Sequence, residues 1–193
     1  MITSQEVLDF WFFPSDDPRY GEERAIWFDE PEGVFDDEVR KRFSGAYELA
    51  RTGAYDHWFD DGVMDCLALV VLLDQIPRNM FRQSPRAFES DPAALALSHK
   101  AVVRGDDRDL APVLRWFLYM PFEHAEDLAT QRECVALARS MEDHGGGADY
   151  MRSVERHCEI IERFGRFPHR NAALGRKTTP EEAEFLKEPD SSF

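Results

Sequence analysis

The chain has 193 residues, enough for one domain or at most two small ones, and 43% of them are apolar, so a single sizeable core can be buried. With 23 basic residues against 38 acidic ones the formal net charge is −15, which repels phosphate backbones and anionic lipid and so disfavours nucleic acid and membrane surfaces as partners. The three cysteines, Cys66, Cys134 and Cys158, have no CxxC spacing and sit among helix-like apolar residues, as expected for buried free thiols of a cytosolic protein.

In chain order the pattern is helical almost throughout. The start lacks a basic segment, and Glu6 and Asp9 interrupt its apolar residues, so no signal peptide is read there. Thr3 and Glu6 have capping-box spacing before VLDFWFF. Residues 34–50 space Phe35, Val39, Phe43 and Tyr47 at helical intervals, Gly53 breaks the chain, and a short helix restarts after it. MDCLALVVLLDQIP is apolar nearly all round and should be a central helix, with Pro77 ending or kinking it. The apolar run at residues 66–73 is far too short to span a bilayer, and the expectation is a soluble cytoplasmic protein.

Ser84-Pro85 and Asp91-Pro92 each read as an N-cap followed by proline, with Gly105 stopping the second helix. The long segment from VLRWF to ALARSM should break at Pro121 into two helices, and the glycines at 145–147 mark a flexible joint. The next helix places Tyr150, Val154, Cys158 and Ile161 on one face and stops at Gly165. Thr179-Pro180-Glu181-Glu182 combines N-cap, proline and capping box for a last short helix. No strand-like alternation runs beyond a few residues. The expected fold is a single all-α domain over residues 1–193, an array of antiparallel helical hairpins. YELARTGAYDHW has the flavour of a tetratricopeptide repeat, but no second copy follows at the 34-residue period.

Three polar segments could carry chemistry. In LLDQIPRNMFR a strongly apolar helix ends in Asp74, Gln75, Arg78 and Arg82, and Asp74 and Arg78 can pair across one turn. That pair could tie down a helix end, or present a guanidinium fork to a carboxylate or phosphate. In FLYMPFEHAEDL, Glu123 and Asp127 are four apart and His124 and Asp127 three apart, so a helix starting near Pro121 would put them on one face. Carboxylates suit such an N-terminus, while Glu123 or His124 could also act as an acid–base group. One histidine among acids is a common surface pattern, so no metal is assigned. From residue 163 to residue 180 there is no Asp or Glu, yet Arg163, Arg166, Arg170, Arg176 and Lys177 occur. His169, Arg170 and Asn171 follow Pro168 in a loop braced by Phe164 and Phe167. The arginines could neutralise Glu123, Asp127 and Asp74, an account that leaves His169 and Asn171 unexplained.

LLDQIPRNMFR, FLYMPFEHAEDL and RFGRFPHRNAALGRKTTPEE together resemble the signatures of the bacterial family catalogued as domain of unknown function 924, and VLDFWF and WFDEPEGVFDDEVRKRF look similar too. The likeness covers essentially the whole chain. It implies a place in the tetratricopeptide-like helical superfamily and brings no proven catalytic residues with it. Ala125 departs from the small hydroxyl residue that the resemblance leads one to expect, which counts against a serine nucleophile.

Three functions fit these motifs. The first is a polar, arginine-rich pocket for a small anionic ligand. There His169 or His124 would serve as general base, Glu123 or Asp127 as its orienter, and Arg78, Arg82, Arg163 and Arg170 as anion clamps, with Asp74, Gln75, Arg166 and Asn171 completing the lining. The second is a tetratricopeptide-like module that holds a peptide or protein partner, a basic one by charge. The third is an internal ion-pair network. No Walker or Rossmann loop and no G-x-S-x-G elbow is present, so neither a cofactor nor a reaction class is assigned.

Overall fold

The computed structural model describes residues 1–27, 33–141 and 148–192, and every regular element among them is helical. The α-helices are α1 (Ser4–Trp11), α2 (Val34–Arg51), α3 (Trp58–Asp61), α4 (Val63–Met80), α5 (Asp91–Arg104), α6 (Pro112–Glu123), α7 (Leu128–Arg139), α8 (Ala148–Phe164) and α9 (Pro180–Phe185). The residues group into two compact units, Met1–Arg82 with Arg86–Pro121 and Gln83–Pro85 with Phe122–Phe193. The joint expected at residues 145–147 lies outside the described residues.

The first unit is built on α4. Residues 66–77 are buried without a break, so no face of this stretch is left to water. Such a helix is stable only when enclosed, and α1, α2, α3 and α5 all pack against it. From α2 come Phe35, Val39, Phe43 and Tyr47, four residues apart and all buried. Each contributes about 1.5–3 kcal/mol by leaving water. Trp11, Phe12, Trp27, Phe35 and Phe117 add an aromatic cluster with ring centroids 4.6 to 6.5 Å apart.

Pro77 does not end α4, which runs on to Met80. A proline inside a helix offers no N–H to the carbonyl four residues earlier, here that of Leu73. The Ser90 hydroxyl donates to that carbonyl instead, at 2.5 Å. This also explains a shift of one residue at the start of α5. Asp91 was expected to be the N-cap, but Ser90 holds that position, its hydroxyl turned to Leu73, and Asp91 is the first helical residue with its carboxylate turned to Arg78. Gly105 ends α5 at φ 81°, a left-handed conformation that suits glycine.

The second unit is organised by α7 and α8. Arg132 pairs with Glu162 and Arg139 with Glu155, so positions rising along α7 meet positions falling along α8, and the two helices are antiparallel. The Asp127 side chain caps α7 by accepting from the Thr130 N–H. The buried face of α8 includes Tyr150, Val154 and Ile161 as expected, but His157 takes the place foreseen for Cys158. At 3.6 residues per turn, His157 lies about 20° round from Tyr150 and Cys158 about 80°. Cys158 is therefore half-buried, unlike Cys66 and Cys134, which are buried as expected. All three thiols are free.

Ile160, Ile161, Phe167 and Phe185 form the apolar core that holds α9. The Glu182 carboxylate secures that helix. It accepts from both Nε and Nη2 of Arg166 (2.6 and 2.9 Å), from the Thr179 N–H (2.7 Å) and from the Asn171 amide (3.2 Å). The Arg166 bond comes first, and together with Thr179 it outweighs burial and holds the carboxyl down to about 2, from an ordinary 4.5. A carboxyl depressed on folding contributes stability that is complete above its unfolded value and lost as pH falls toward its folded one. Glu182→Gln is expected to lower stability at pH 7 and to flatten the stability loss between pH 4.5 and pH 2, as read from urea melts across that window. An unchanged slope there would remove Glu182 from the acid-sensitive groups.

Candidate functional site

Pro121 sits inside α6 rather than at the head of a new helix, and α6 continues to Glu123. Residues 124–127 form the connection, and α7 begins only at Leu128. Glu123 and Asp127 therefore do not share a helical face, and Glu123 stands at a helix C-terminus. Pro121 offers no N–H to the Phe117 carbonyl four residues earlier, yet the helix runs on for two more residues. A carboxylate at that end opposes the helix dipole, so helix stability does not account for Glu123. Its surroundings do.

Glu123 and His157 are 3% and 4% exposed, which puts this pair of ionisable groups out of bulk water. Glu123 Oε1 lies 3.0 Å from His157 Nδ1 and accepts the Ser153 hydroxyl at 2.7 Å. His157 Nδ1 also meets the Ser153 carbonyl oxygen at 2.8 Å. Both partners of Nδ1 are acceptors, so Nδ1 carries the hydrogen and the ring is fixed in that tautomer. Burial pushes the Glu123 carboxyl up, but the attraction and hydrogen bond of His157, then His124 and the Ser153 hydroxyl, hold it below the usual carboxylate value. Behind it the fully buried Gln131 amide donates to the carbonyls of Glu123 (2.6 Å) and Ala125 (2.8 Å), closing the end of α6.

The rest of the cluster gathers on Phe167. Its ring lies 5.4 Å from that of His157 and 5.6 Å from that of His169, and the Arg170 guanidinium sits 4.6 Å from its centroid. The rings of His124 and His157 are 6.4 Å apart. His124 and His169 are half-buried, whereas Arg170 is buried. Burial above all, then Arg170, His157 and His124, drives the His169 imidazole down to about 3, so it is neutral at pH 7. Among the described residues no group of three or more His, Cys, Asp or Glu side chains is placed to hold a metal ion.

Other predicted residues of this unit have structural work. Asp127 caps α7. Arg163 pairs with Glu181 at 3.0 Å and Arg166 with Glu182, so both bind acids of α9 rather than Glu123 or Asp127. Asn171 donates to Glu182, while its buried Oδ1 has no hydrogen-bond partner among the described residues. Glu126, matched in the motif but given no role from sequence, receives both guanidinium nitrogens of Arg176 and the Phe167 N–H. His157, Ser153 and Gln131 escaped the sequence reading altogether. The signal for His157 was its place on the apolar stripe of α8. Ser153 and Gln131 have no comparable mark.

The LLDQIPRNMFR residues belong to the first unit. Arg78 bridges two carboxylates, Asp74 at 3.3 Å within α4 and Asp91 at 2.9 Å. Gln75 donates to Asp74 at 2.6 Å. Arg82 and Asn79 both bond Asp36 on α2.

The family described as "Bacterial protein of unknown function (DUF924)" matches residues 7–190. The chain belongs to this family. The DUF924 fold is also seen in the solved structure of the protein of unknown function ATU0120 from Agrobacterium tumefaciens. That protein is 38% identical to this chain and superposes with a TM-score of 0.82, over 95% of this chain and 96% of its own. No curated protein matches this chain. The DUF924 membership expected from the three motifs is thus found, and it carries no activity with it.

The DUF924 motif residue Arg78 also provides a test of buried charge. Asp74 is fully buried, and losing the Arg78 guanidinium would leave its carboxylate with weaker compensation. Arg78→Ala is expected to cost about 3–5 kcal/mol. Lys187→Ala, which breaks the exposed 2.7 Å pair with Glu184, should cost about 0–1 kcal/mol. Equal denaturant midpoints with equal slopes would show that the Arg78 pairs contribute no more than a surface pair.

Proposed function

We propose that the protein binds a small anionic molecule at the polar cluster of its second unit, and that this cluster performs acid–base chemistry on it. The observation that carries this reading is the buried Glu123–His157 pair. A carboxylate fixes the imidazole through Nδ1, the arrangement that orients a histidine for proton transfer. His169, half-buried and neutral, adds a donor and an acceptor, half-buried His124 lies beside His157, and Arg170 supplies positive charge. Groups whose environments shift their proton affinities, as those of Glu123 and His169 do, gather at functional sites more often than elsewhere. Arg163 and Arg166 stay with α9 in this reading.

A second reading rests on the antiparallel α7–α8 pair, which supports a tetratricopeptide-like hairpin module that holds a basic peptide against an acidic surface. The three free thiols support a cytoplasmic location for either. Among the described residues no helix is long and apolar enough to cross a membrane.

Thermal melts of the parent and of His169→Ala separate these readings. With inorganic phosphate, sugar phosphates and mono- and dicarboxylates as ligands, at least one anion should raise the melting temperature of the parent. That shift should shrink at high salt and vanish in His169→Ala, whose own melting temperature should stay near the parent's. If no anion stabilises the parent and His169→Ala melts far below it, the cluster is a structural staple. Stabilisation by a basic peptide alone would favour the hairpin module.

A further inference from the structure

The first unit contains a cleft of about 270 Å³ that none of the three polar motifs reaches. One face of α1 lines it with Gln5, Leu8 and Asp9, and Phe12 follows just beyond the end of that helix. Phe13, Ser15 and Tyr20 follow from the next segment, and Met64 and Leu114 complete the walls. Leu8, Phe12 and Leu114 are buried, so the floor is apolar, while Gln5, Asp9, Ser15 and Tyr20 bring polar groups.

We propose that this cleft is a second small-molecule site, selective for an organic cation with an apolar body. The charge argument starts from Asp9. Its Oδ1 accepts the Gln5 amide at 2.7 Å, and among the described residues no arginine or lysine pairs with it. Two arginines of the neighbouring segment have other commitments. Arg19 forks onto Asp17 at 2.9 and 2.7 Å and lies 3.9 Å from the centroid of the Phe13 ring. Arg24 donates to the carbonyls of Phe10 (2.6 Å) and Trp11 (3.0 Å). The carboxylate of Asp9 is thus the one formal charge among the residues lining the cleft. It leaves Oδ2 for a donor brought by the ligand.

An ammonium group meets that need, and a carboxylate or phosphate would be repelled. The apolar body of the ligand would pack against Phe13 and Met64, the partly buried apolar residues of the lining, above a floor of Leu8, Phe12 and Leu114. The Tyr20 ring at the rim offers a face to a cation as well. The net charge of −15 draws cations toward the protein from a distance and adds to the same preference. The ligand class is opposite in charge to the anion proposed for the second unit, so the two sites stand or fall separately.

The test uses the whole chain labelled with ¹³C-methyl methionine, and Met64→Leu assigns the Met64 resonance. Titration with 2-phenylethylammonium is expected to shift that resonance saturably, through the ring current of the ligand. The neutral 2-phenylethanol should bind about fivefold more weakly, as should the ammonium to Asp9→Asn, which keeps the shape of the side chain and removes its charge. Phenylacetate should bind more weakly still. Asp9 is exposed, so its substitution leaves the core intact. The absence of a saturable Met64 shift, equal affinity for the ammonium and the alcohol, or tighter binding of phenylacetate would each overturn the proposal.

Discussion

A carboxylate taken out of water has to be answered, and the second unit is arranged around that demand at Glu123. An unpaired buried charge costs several kcal/mol, and the C-terminal end of α6 adds an unfavourable field. Two residues of α8, Ser153 and His157, meet the carboxylate, and Gln131 of α7 meets the carbonyls beside it. The end of α6, the body of α7 and the middle of α8 are thereby held to one point. Phe167, pinned through its N–H by Glu126, then sets where His169 and Arg170 can be. Apolar packing alone would allow these helices to slide, whereas hydrogen bonds with fixed partners do not.

Much of the fold was legible because its signals are local. Thr3 with Glu6, Thr179 with Glu182, Gly105 and Gly165 mark helix ends by chemistry that acts within four residues. The apolar spacing of α2 and the all-round apolarity of α4 needed no partner to be recognised. The errors have different causes. Pro121 and Pro77 look like breaks in sequence, and Leu73 shows why one of them is not: the missing bond is replaced by Ser90, a residue from outside the helix. His157 was passed over because Cys158 fits a four-residue count, while the true stripe alternates threes and fours. The site was legible as motifs but not as pairs. Nothing near Glu123 in the chain announces Ser153 or His157, thirty and more residues away.

Charge that clusters along the chain is interleaved in the folded protein. The acid-free stretch around Arg82 and Arg86 finds Asp36 and Glu48 on α2, and the stretch after residue 163 finds Glu126, Glu181 and Glu182. These basic islands are complements to acidic segments elsewhere rather than a uniform basic surface. Arginine suits that use, since its planar fork meets two carboxylate oxygens at once, as Arg166 does on Glu182 and Arg176 on Glu126.

The bond from Ser90 to the Leu73 carbonyl has a bearing on how this sequence can change over time. With Pro77 in place, a substitution that removes the hydroxyl leaves a buried carbonyl without its donor, a loss of about 1–3 kcal/mol. If residue 77 first becomes alanine, the helix supplies its own N–H to that carbonyl, and the hydroxyl at residue 90 becomes dispensable. The two positions are thus open to replacement in one order and closed in the other. A lineage that lost the proline first could drift at residue 90, and one that kept it could not.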